Sequence, residues 1–579
     1  YGYTTELAEK ITEGIRQAGD IDVKSYDMVT ADAAEVSAQI AAADGLLFGT
    51  PTILGEALKP IWDLTTSMFP PVHGGKLASA FGSYGWSGEG VPHIVERLKQ
   101  LRMKVVDGYK VKLKPSEKEL TEAVEFGYNF GLKLLRKDEP VKASAKSTLV
   151  KCLVCGEIFD SSIETCPVCG VGRENFVPVD SQDTGFRMDT MEKFVILGGG
   201  TAALNAAKAI RQRNATATVT MISEETELPY DRPMLTKNMF GAVCNGAIAS
   251  VDAEWYKENN VTLLLGSKVE RIDAGRKEVV LADGTAYPYD KCIYALGSYS
   301  FVPPIKGKEL PEVTPVRTIA DVMKVRSFAE GAKSAVVIGG GVLGLEAAWE
   351  LRKEKLDVTV LEGAPVPMAG KVDAETANLL IGIAAKNGIT IKTGAKIAEI
   401  AGNGHVDGVL LEGGEKIPAD LVIISTGVRA NIAVAEDAGL ITERAVVVNE
   451  KMETGVEGIY ACGDCAQFNG ANIAIWPVAS EMGRIAGANA AGEALPYRPE
   501  TQGMTFHGIN TALFAIGDVG TKPDAQYKIL EIRDDKKSTL EKYYFVNNVV
   551  CGAILLGDTS KMATASEAIK AQKTFKEIF

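Results

Sequence analysis

At 579 residues the chain has room for roughly three or four domains, and 46% apolar against 24% charged residues gives it the material to pack them, which excludes a disordered chain. A net charge of −13 and a pI near 5.2 argue against nucleic acid or an anionic membrane as a partner. No apolar run reaches the roughly 18 residues of a membrane span and no basic-then-apolar leader is present, so no membrane partner and a cytoplasmic location are expected.

The chain opens "YGYTTELAEKITEG", which places Leu7, Ile11 and Ile15 at four-residue spacing and predicts an amphipathic helix from Thr5. The Gly and hydroxyl cluster ahead of it has the composition of a loop that holds a phosphate at a helix N-terminus. Such loops normally follow a buried strand and none precedes this one, so the expectation is a fragment that starts inside the loop. Up to residue 135, helical stretches alternate with the short apolar runs "GLLFGT" at 45–50 and "LASAFGS" at 77–83, the pattern of an open parallel α/β sheet. The polar run at 136–147 has linker composition.

"CLVCGEIFDSSIETCPVCG" then holds Cys152, Cys155, Cys166 and Cys169 as two C-x-x-C knuckles. Four thiolates in two such turns form a tetrahedral sulfur cage suited to zinc or to a single iron. The other five of the nine cysteines are scattered, which speaks for a metal site in a reducing compartment and not a disulfide framework.

After a second linker at 180–189, "KFVILGGGTAALNAAKAI" sets Gly198, Gly200 and Ala203 between an apolar strand and a helix. Glycines there let backbone N–H groups approach a pyrophosphate, and the helix N-terminus attracts it. The second strand, "ATVTMIS", is expected to end at Glu224, where a carboxylate would meet a ribose. "SAVVIGGGVLGLEAAWEL" repeats the device with Gly339, Gly341 and Gly344, its ribose carboxylate being Glu362 at the end of "DVTVLEG". A 2′-phosphate beside Glu362 would bring like charges together at about 4 kcal/mol per unit-charge pair at 4 Å and an effective dielectric near 20. NADH is therefore expected over NADPH. Residues 503–579 are rich in β-type runs, with an Asn-Asn turn inside "LEKYYFVNNVVCGAILLGD", and end in a helix.

Several stretches carry family resemblances. "EETELPYDRPMLTK", "GIYACGDCAQF" and "IWPVASEMGRIAGANAAG" resemble the FAD domain of the ferredoxin-reductase and rubredoxin-reductase family. This implies FAD, with Arg232 and Lys237 on the flavin side, Asp464 on the ribityl chain and the last segment beneath the isoalloxazine. "STGVRAN", with Thr426 and Gly427, matches the crossover back into that domain. Cys462 and Cys465 lie within the ribityl turn and are read as structural, because disulfide reductases of this superfamily carry their cysteine pair just after the first ribose carboxylate, where this chain offers only Cys244. "CPVCG" and "CGEIFD" resemble rubredoxin, with an interval between knuckles closer to the unit of rubrerythrins, and beside flavin domains this favours iron.

"YGYTTELAEKI", "GTPTILGEALKP" and "FGSYGWSGEG" together resemble the flavodoxin domain of flavodiiron proteins. The resemblance implies FMN, its phosphate cradled by Tyr1, Gly2, Tyr3 and Thr4 and its flavin lined by Thr50, Pro51, Thr52, Ser83, Tyr84, Gly85 and Trp86. The expected fold is α/β multidomain: a flavodoxin-like open sheet at 1–137, a rubredoxin-like knuckle at 148–180, an FAD domain at 191–305 and 426–502, an NADH domain at 306–425 and an α+β domain at 503–579. This order resembles the C-terminal part of flavodiiron proteins that carry their own reductase. It implies electron flow from NADH through FAD and one rubredoxin-type iron to FMN, and in the intact protein, a homo-oligomer, onward to a diiron site reducing O2 or NO. The four histidines, His73, His93, His405 and His507, cannot build that diiron site. The alternatives are an NADH oxidase or diaphorase serving a separate carrier, and a redox sensor with a structural zinc ribbon.

Overall fold

Two units make up the protein, Tyr1–Ala145 and Lys146–Phe579. The computed structural model describes residues 2–19, 21–68, 73, 75–86, 88–135, 149–152, 158–160, 166, 172–173, 176–179, 186–522, 524–534 and 536–578.

In the first unit the opening helix is Tyr3–Ala18, two residues longer at its start than its apolar spacing predicts. Leu7, Ile11 and Ile15 are buried as expected, each contributing about 1.5–3 kcal/mol through apolar burial. The helix crosses helix Glu117–Leu134 at small residues: a Cβ on Gly14 would lie 1.8 Å from the Val124 carbonyl, and one on Gly127 2.0 Å from that of Ile11. Strand Gly45–Gly49 pairs in parallel with the buried strand Leu77–Tyr84, which also pairs in parallel with Tyr109–Lys112. The alternation read from the sequence is thus an open parallel sheet with helices packed against it.

The second unit contains two five-stranded parallel sheets of the same design. One runs in the order Val261–Leu264, Thr218–Ile222, Lys193–Leu197, Lys291–Tyr294, Ile459–Ala461. The other runs Ile389–Lys392, Asp357–Leu361, Ser334–Ile338, Leu421–Ile424, Val313–Pro315. In each, the first strand in sequence among the central three leads through a glycine turn into a helix, Thr201–Arg213 or Val342–Lys353. Each sheet is accompanied by a three-stranded antiparallel meander. Helix Trp476–Ala490 packs on Thr201–Arg213 with almost no space between backbones, since a Cβ on Gly483 would meet the Ala202 carbonyl at 2.1 Å.

A five-stranded antiparallel sheet closes the chain, in the order Gly503–Gly508, Thr511–Gly517, Val549–Leu556, Thr539–Val546, Lys528–Asp534, followed by helix Met562–Lys570. The expected Asn-Asn turn is present, with Asn547 at φ 52° and Asn548 at φ 65°, the two positive angles of a type I′ hairpin. A second such turn uses Ile509 (φ 55°) and Asn510 (φ 52°). A β-branched residue resists this conformation; here Ile509 is fully buried among apolar neighbours, and its carbonyl accepts from Asn387 Nδ2 at 3.2 Å. Strands Leu149–Cys152, Ile158–Asp160 and Phe176–Val179 form a three-stranded antiparallel sheet with Leu149–Cys152 at its centre. Among the described residues no helix is long and apolar enough to cross a membrane.

Candidate cofactor sites

The two glycine turns reveal why glycine is needed at each position. Gly198 (φ 125°) and Gly339 (φ 115°) lie against the crossing chain, where a Cβ would meet the carbonyl of Ala295 or Ser425 at 2.1 Å. Gly200 and Gly341, the caps of the two helices, have nothing within 4 Å of a would-be Cβ and no side chain capping the helix N–H groups. Unclaimed N–H donors facing open space at a helix N-terminus fit a pyrophosphate. At the third position Ala203 is accommodated in full burial, whereas a Cβ on Gly344 would lie 2.0 Å from the Gly339 carbonyl.

The ribose carboxylates differ more. Glu362 is drawn into its turn, accepting from the N–H of Gly340 and of Ala364, each at 2.7 Å. In the first copy the corresponding strand ends at Ile222, and the residue register-matched to Glu362 is Ser223, whose hydroxyl lies 2.4 Å from a would-be Cβ of Gly199. Glu224 falls one residue further on, 72% exposed and 3.9 Å from Lys268.

Of the residues expected on the flavin side, Arg232 and Asp464 belong to one connected polar chain. Arg232 donates to Glu225 Oε1 (2.7 Å), to the Tyr230 hydroxyl (2.8 Å) and to the Arg317 carbonyl (2.5 Å). Arg317 in turn donates to Asp464 Oδ2 (2.8 Å), which also accepts from Ser298 Oγ (2.6 Å). Burial works against the charge of both arginines; Tyr230 and Glu225 hold that of Arg232 up, while burial and the neighbouring Arg232 leave the pKa of Arg317 lowered. Lys237 Nζ stands 3.9 Å from Glu346 Oε1, and Glu346 Oε2 accepts from Thr236 Oγ1 at 2.6 Å. Burial raises the Glu346 carboxyl above its ordinary pKa. At the start of helix Trp476–Ala490 the buried indole N–H of Trp476 has no acceptor among the described residues. An orphaned donor beside the Asp464 turn fits a ligand with acceptor atoms, as a flavin has. Arg317, Glu346 and Trp476 escape a motif-based reading, although Glu346 had a signal: it is a carboxylate inside the helix that follows the second glycine turn, among the buried neighbours Leu345, Ala347 and Ala348.

Cys462 and Cys465 are both fully buried in the core of the first parallel sheet. Burial pushes the Cys465 thiol up to about 12 and that of Cys462 well above its ordinary value, which leaves neither as a thiolate near neutrality. Cys244 is half-buried, with Met323 Sδ 3.5 Å away.

In the first unit, Tyr1 lies outside the described residues, and Gly2 (φ 74°) caps helix Tyr3–Ala18 with no side chain on its N–H groups. Thr4 Oγ1 lies 3.3 Å from Ser83 Oγ, so the opening helix and the end of strand Leu77–Tyr84 bring two hydroxyls together. Thr50 is buried, accepting from the Leu58 N–H at 2.9 Å, and Thr52 Oγ1 accepts from the Gly90 N–H at 3.2 Å, so both hydroxyls shape the loop beyond Pro51. The Tyr84 ring packs on Gly88, where a Cβ would meet it at 2.8 Å, and Trp86, beyond Gly85, is 93% exposed. An exposed indole above a strand end suits stacking on a planar ring.

Of the four clustered cysteines, Cys155 and Cys169 lie outside the described residues. Cys152 and Cys166 are buried, neither in a disulfide, in one apolar cluster with Phe514, Phe545 and Leu555 of the terminal sheet and Met562 of its helix. Trp476 packs against the same cluster. Among the described residues no group of three or more metal-ligating side chains occurs.

Residues 192–483 match the Pyridine nucleotide-disulphide oxidoreductase family, residues 504–573 the Rubredoxin NAD+ reductase C-terminal domain and residues 1–127 the Flavodoxin family. The chain is 35% identical over 329 residues to the Rubredoxin-NAD(+) reductase of Pseudomonas putida, covering 54% of this chain and 86% of that one. It is 30% identical over 372 residues to the NAD(P)H nitrite reductase of Bacillus subtilis, of which it spans 46% while 64% of this chain is covered. The crystal structure of NADH:rubredoxin oxidoreductase from Clostridium acetobutylicum superposes with a TM-score of 0.56 at 28% identity, over 66% of this chain and 96% of that one.

Proposed function

Because the chain belongs to the pyridine nucleotide-disulphide oxidoreductase family, we propose that it oxidises NADH at a bound FAD and delivers the electrons through a four-cysteine iron to FMN. When bound, FAD accepts hydride and releases electrons one at a time, which lets a two-electron donor serve one-electron acceptors. The residues supply position and charge. Gly198 and Gly200 would bring backbone N–H groups to the FAD pyrophosphate, Gly341 would do so for NADH, and Glu362 would hold the adenosine ribose and repel a 2′-phosphate. Asp464, fixed by Arg317 and Ser298, would orient the ribityl chain. Thr4 and Ser83 would hold the FMN phosphate, with Trp86 over the ring.

One observation carries the relay: Trp476 packs on the apolar cluster that buries Cys152 and Cys166 and opens the helix that runs beside the Asp464 turn. That packing supports electron passage between the cysteine unit and the segment read as flavin-binding. In the flavodiiron reading, the electrons would finally reach a diiron centre reducing O2 or NO, which the four histidines of this chain do not form.

Adding NADH anaerobically to protein purified with its metal is expected to bleach both flavins and the ferric-thiolate absorption. A Cys152→Ser variant that still reduces FMN at the wild-type rate would sink the relay, and metal analysis returning zinc would favour the sensor. Replacing Trp476 with Leu is expected to slow metal reduction at least about tenfold while flavin bleaching stays within about twofold, a difference of about 1.4 kcal/mol in barrier.

A further inference from the structure

A cavity of about 310 Å³ lies between the Met234–Lys237 turn, helix Val342–Lys353 and the hairpin that joins Gly503–Gly508 to Thr511–Gly517. Lys237, Glu346, Glu350, Lys353 and His507 all face it. Glu346 is only 2% exposed; its Oε2 is held by Thr236, but its Oε1 has Lys237 at 3.9 Å and no hydrogen bond. One turn along the same helix Glu350 is also buried, with Lys353 Nζ 2.5 Å from its Oε1, and Lys353 is exposed. At about 30 Å³ per water, the space is enough for roughly ten waters.

Two buried carboxylates four residues apart on one helix face repel each other and are each desolvated. Burial raises both carboxyls above the ordinary range, with Lys237 opposing this at Glu346, Lys353 opposing it at Glu350, and Glu354 adding to it there; burial and Lys237 lower His507. Packing alone gives no reason to keep such groups. The strained turn at Ile509, next to His507 in the same hairpin, adds a second local cost on this side of the cavity.

Chemistry gives a reason. Oxidation of NADH by one-electron acceptors runs NADH → NAD+ + H+ + 2 e−. The electrons leave without a proton, so one proton per NADH must pass from the flavin site to solvent. We propose that the open oxygen of Glu346, the Glu350 carboxylate and the water-sized cavity between Lys237, Lys353 and His507 form the outlet for that proton. This rests on the reading that NADH is oxidised at a flavin beside Lys237. The proton released by NADH oxidation reaches Glu346 Oε1 through cavity water, or through Lys237, which donates one N–H proton and takes up the released one; it then passes to Glu350 and out past Lys353. Each transfer makes one O–H or N–H bond and breaks another, and no further reactant is required.

The test follows the full chain, loaded with its flavins, in weakly buffered solution with a pH-indicator dye, NADH and ferricyanide, which takes one electron and no proton. The quantity read, in a single turnover by stopped flow with enzyme in excess over NADH, is the ratio of the proton-release rate to the ferricyanide-reduction rate, which a variant that is merely slower or partly unfolded leaves unchanged. In wild type the ratio is expected to be one proton for two ferricyanides without lag. Glu350→Gln is expected to make proton release lag at least about fivefold behind and to enlarge the solvent deuterium effect, with Glu350→Asp restoring part of the ratio. Ratios without lag in both Glu350→Gln and Glu346→Gln would overturn the outlet. Failure of NADH to bleach the wild-type flavin, followed separately without ferricyanide, would overturn the underlying reading and the outlet with it.

Discussion

The two parallel-sheet halves of the second unit share strand order, glycine turn and meander, yet they hold the strand-end side chain differently. In the half that begins at Lys193, Ser223 sits at the position facing the turn and Glu224, one residue on, is exposed beside Lys268. In the half that begins at Ser334, Glu362 fills that position and is clamped by two backbone N–H groups. The backbone device is generic to a pyrophosphate, and the residue that ends the second strand decides what lies beyond it. In the proposed function, the difference would separate a turn committed to one nucleotide from one whose selectivity comes from elsewhere, from the Arg232, Arg317 and Asp464 chain.

The comparison breaks hardest at the glycines. Gly339→Ala places a Cβ 2.1 Å from the Ser425 carbonyl at φ 115°, and is expected to cost at least about 3 kcal/mol, lowering the Tm by on the order of 10 °C. Gly341→Ala meets no protein atom and is expected to leave the Tm within about 1 °C while weakening NADH binding at least about tenfold, because its Cβ would occupy the space a pyrophosphate needs. Differential scanning calorimetry and NADH titration separate the two. Equal losses in both variants would show that the turn needs glycine for backbone reasons only.

Next in size is the carboxylate. Glu362→Ser copies the residue of the other half, removes the charge and frees the N–H groups of Gly340 and Ala364. The ratio of kcat/KM for NADH over NADPH is expected to fall by about tenfold or more, equivalent to about 1.4 kcal/mol. An unchanged ratio would move the source of nucleotide choice away from Glu362.

Much of this was legible in the sequence and the rest was not, for identifiable reasons. Period and spacing are local, so the opening helix, both glycine turns and the Asn547-Asn548 hairpin could be read directly. Glu224 was expected at the strand end and stands two residues beyond it, because strand ends are the least local feature of a strand: the strand stops at Ile222. Arg317 could not be found from its neighbours in sequence, since its partners Ser298 and Asp464 come from two other segments. The turn at Ile509 contradicts local preference outright, and only the buried cluster around it makes it acceptable. Cys152 and Cys166 were legible as a metal-binding spacing, but their burial against the terminal sheet was not.

A smaller contrast concerns the third turn position. Gly344→Ala copies Ala203 of the other half, but its Cβ would lie 2.0 Å from the Gly339 carbonyl, so about 1–3 kcal/mol of destabilisation is expected. Ala203→Gly is expected to cost about 1 kcal/mol through helix propensity alone. If Gly344→Ala proves neutral in thermal melts, the two helix starts are interchangeable and the difference between the halves lies wholly in the strand end.

The smallest effect sharpens the comparison through pH, because a buried lysine of the terminal sheet docks on the Ser334 half. Lys542, only 4% exposed at its side chain, donates to Asp373 Oδ2 at 2.8 Å and Glu375 Oε2 at 2.5 Å, and the Tyr544 hydroxyl donates to Asp373 Oδ2 at 2.6 Å. Burial alone would raise the Asp373 carboxyl, but hydrogen bonds from Lys542, Thr376 and Tyr544 together hold it below its ordinary 3.8. A carboxyl depressed in the folded state binds protons more weakly there than in the unfolded chain. Its contribution is therefore complete above pH 3.8 and is lost as pH falls through the depressed value. Asp373→Asn is expected to lower stability by on the order of 1 kcal/mol at neutral pH and to converge with wild type in acid. Denaturant melts at a series of pH values check this: a gap between the two proteins that stays constant into the acid range would assign the loss to the Thr376 helix cap, where Asp373 Oδ1 accepts the backbone N–H at 2.8 Å, and not to the charge that ties the terminal sheet to this half.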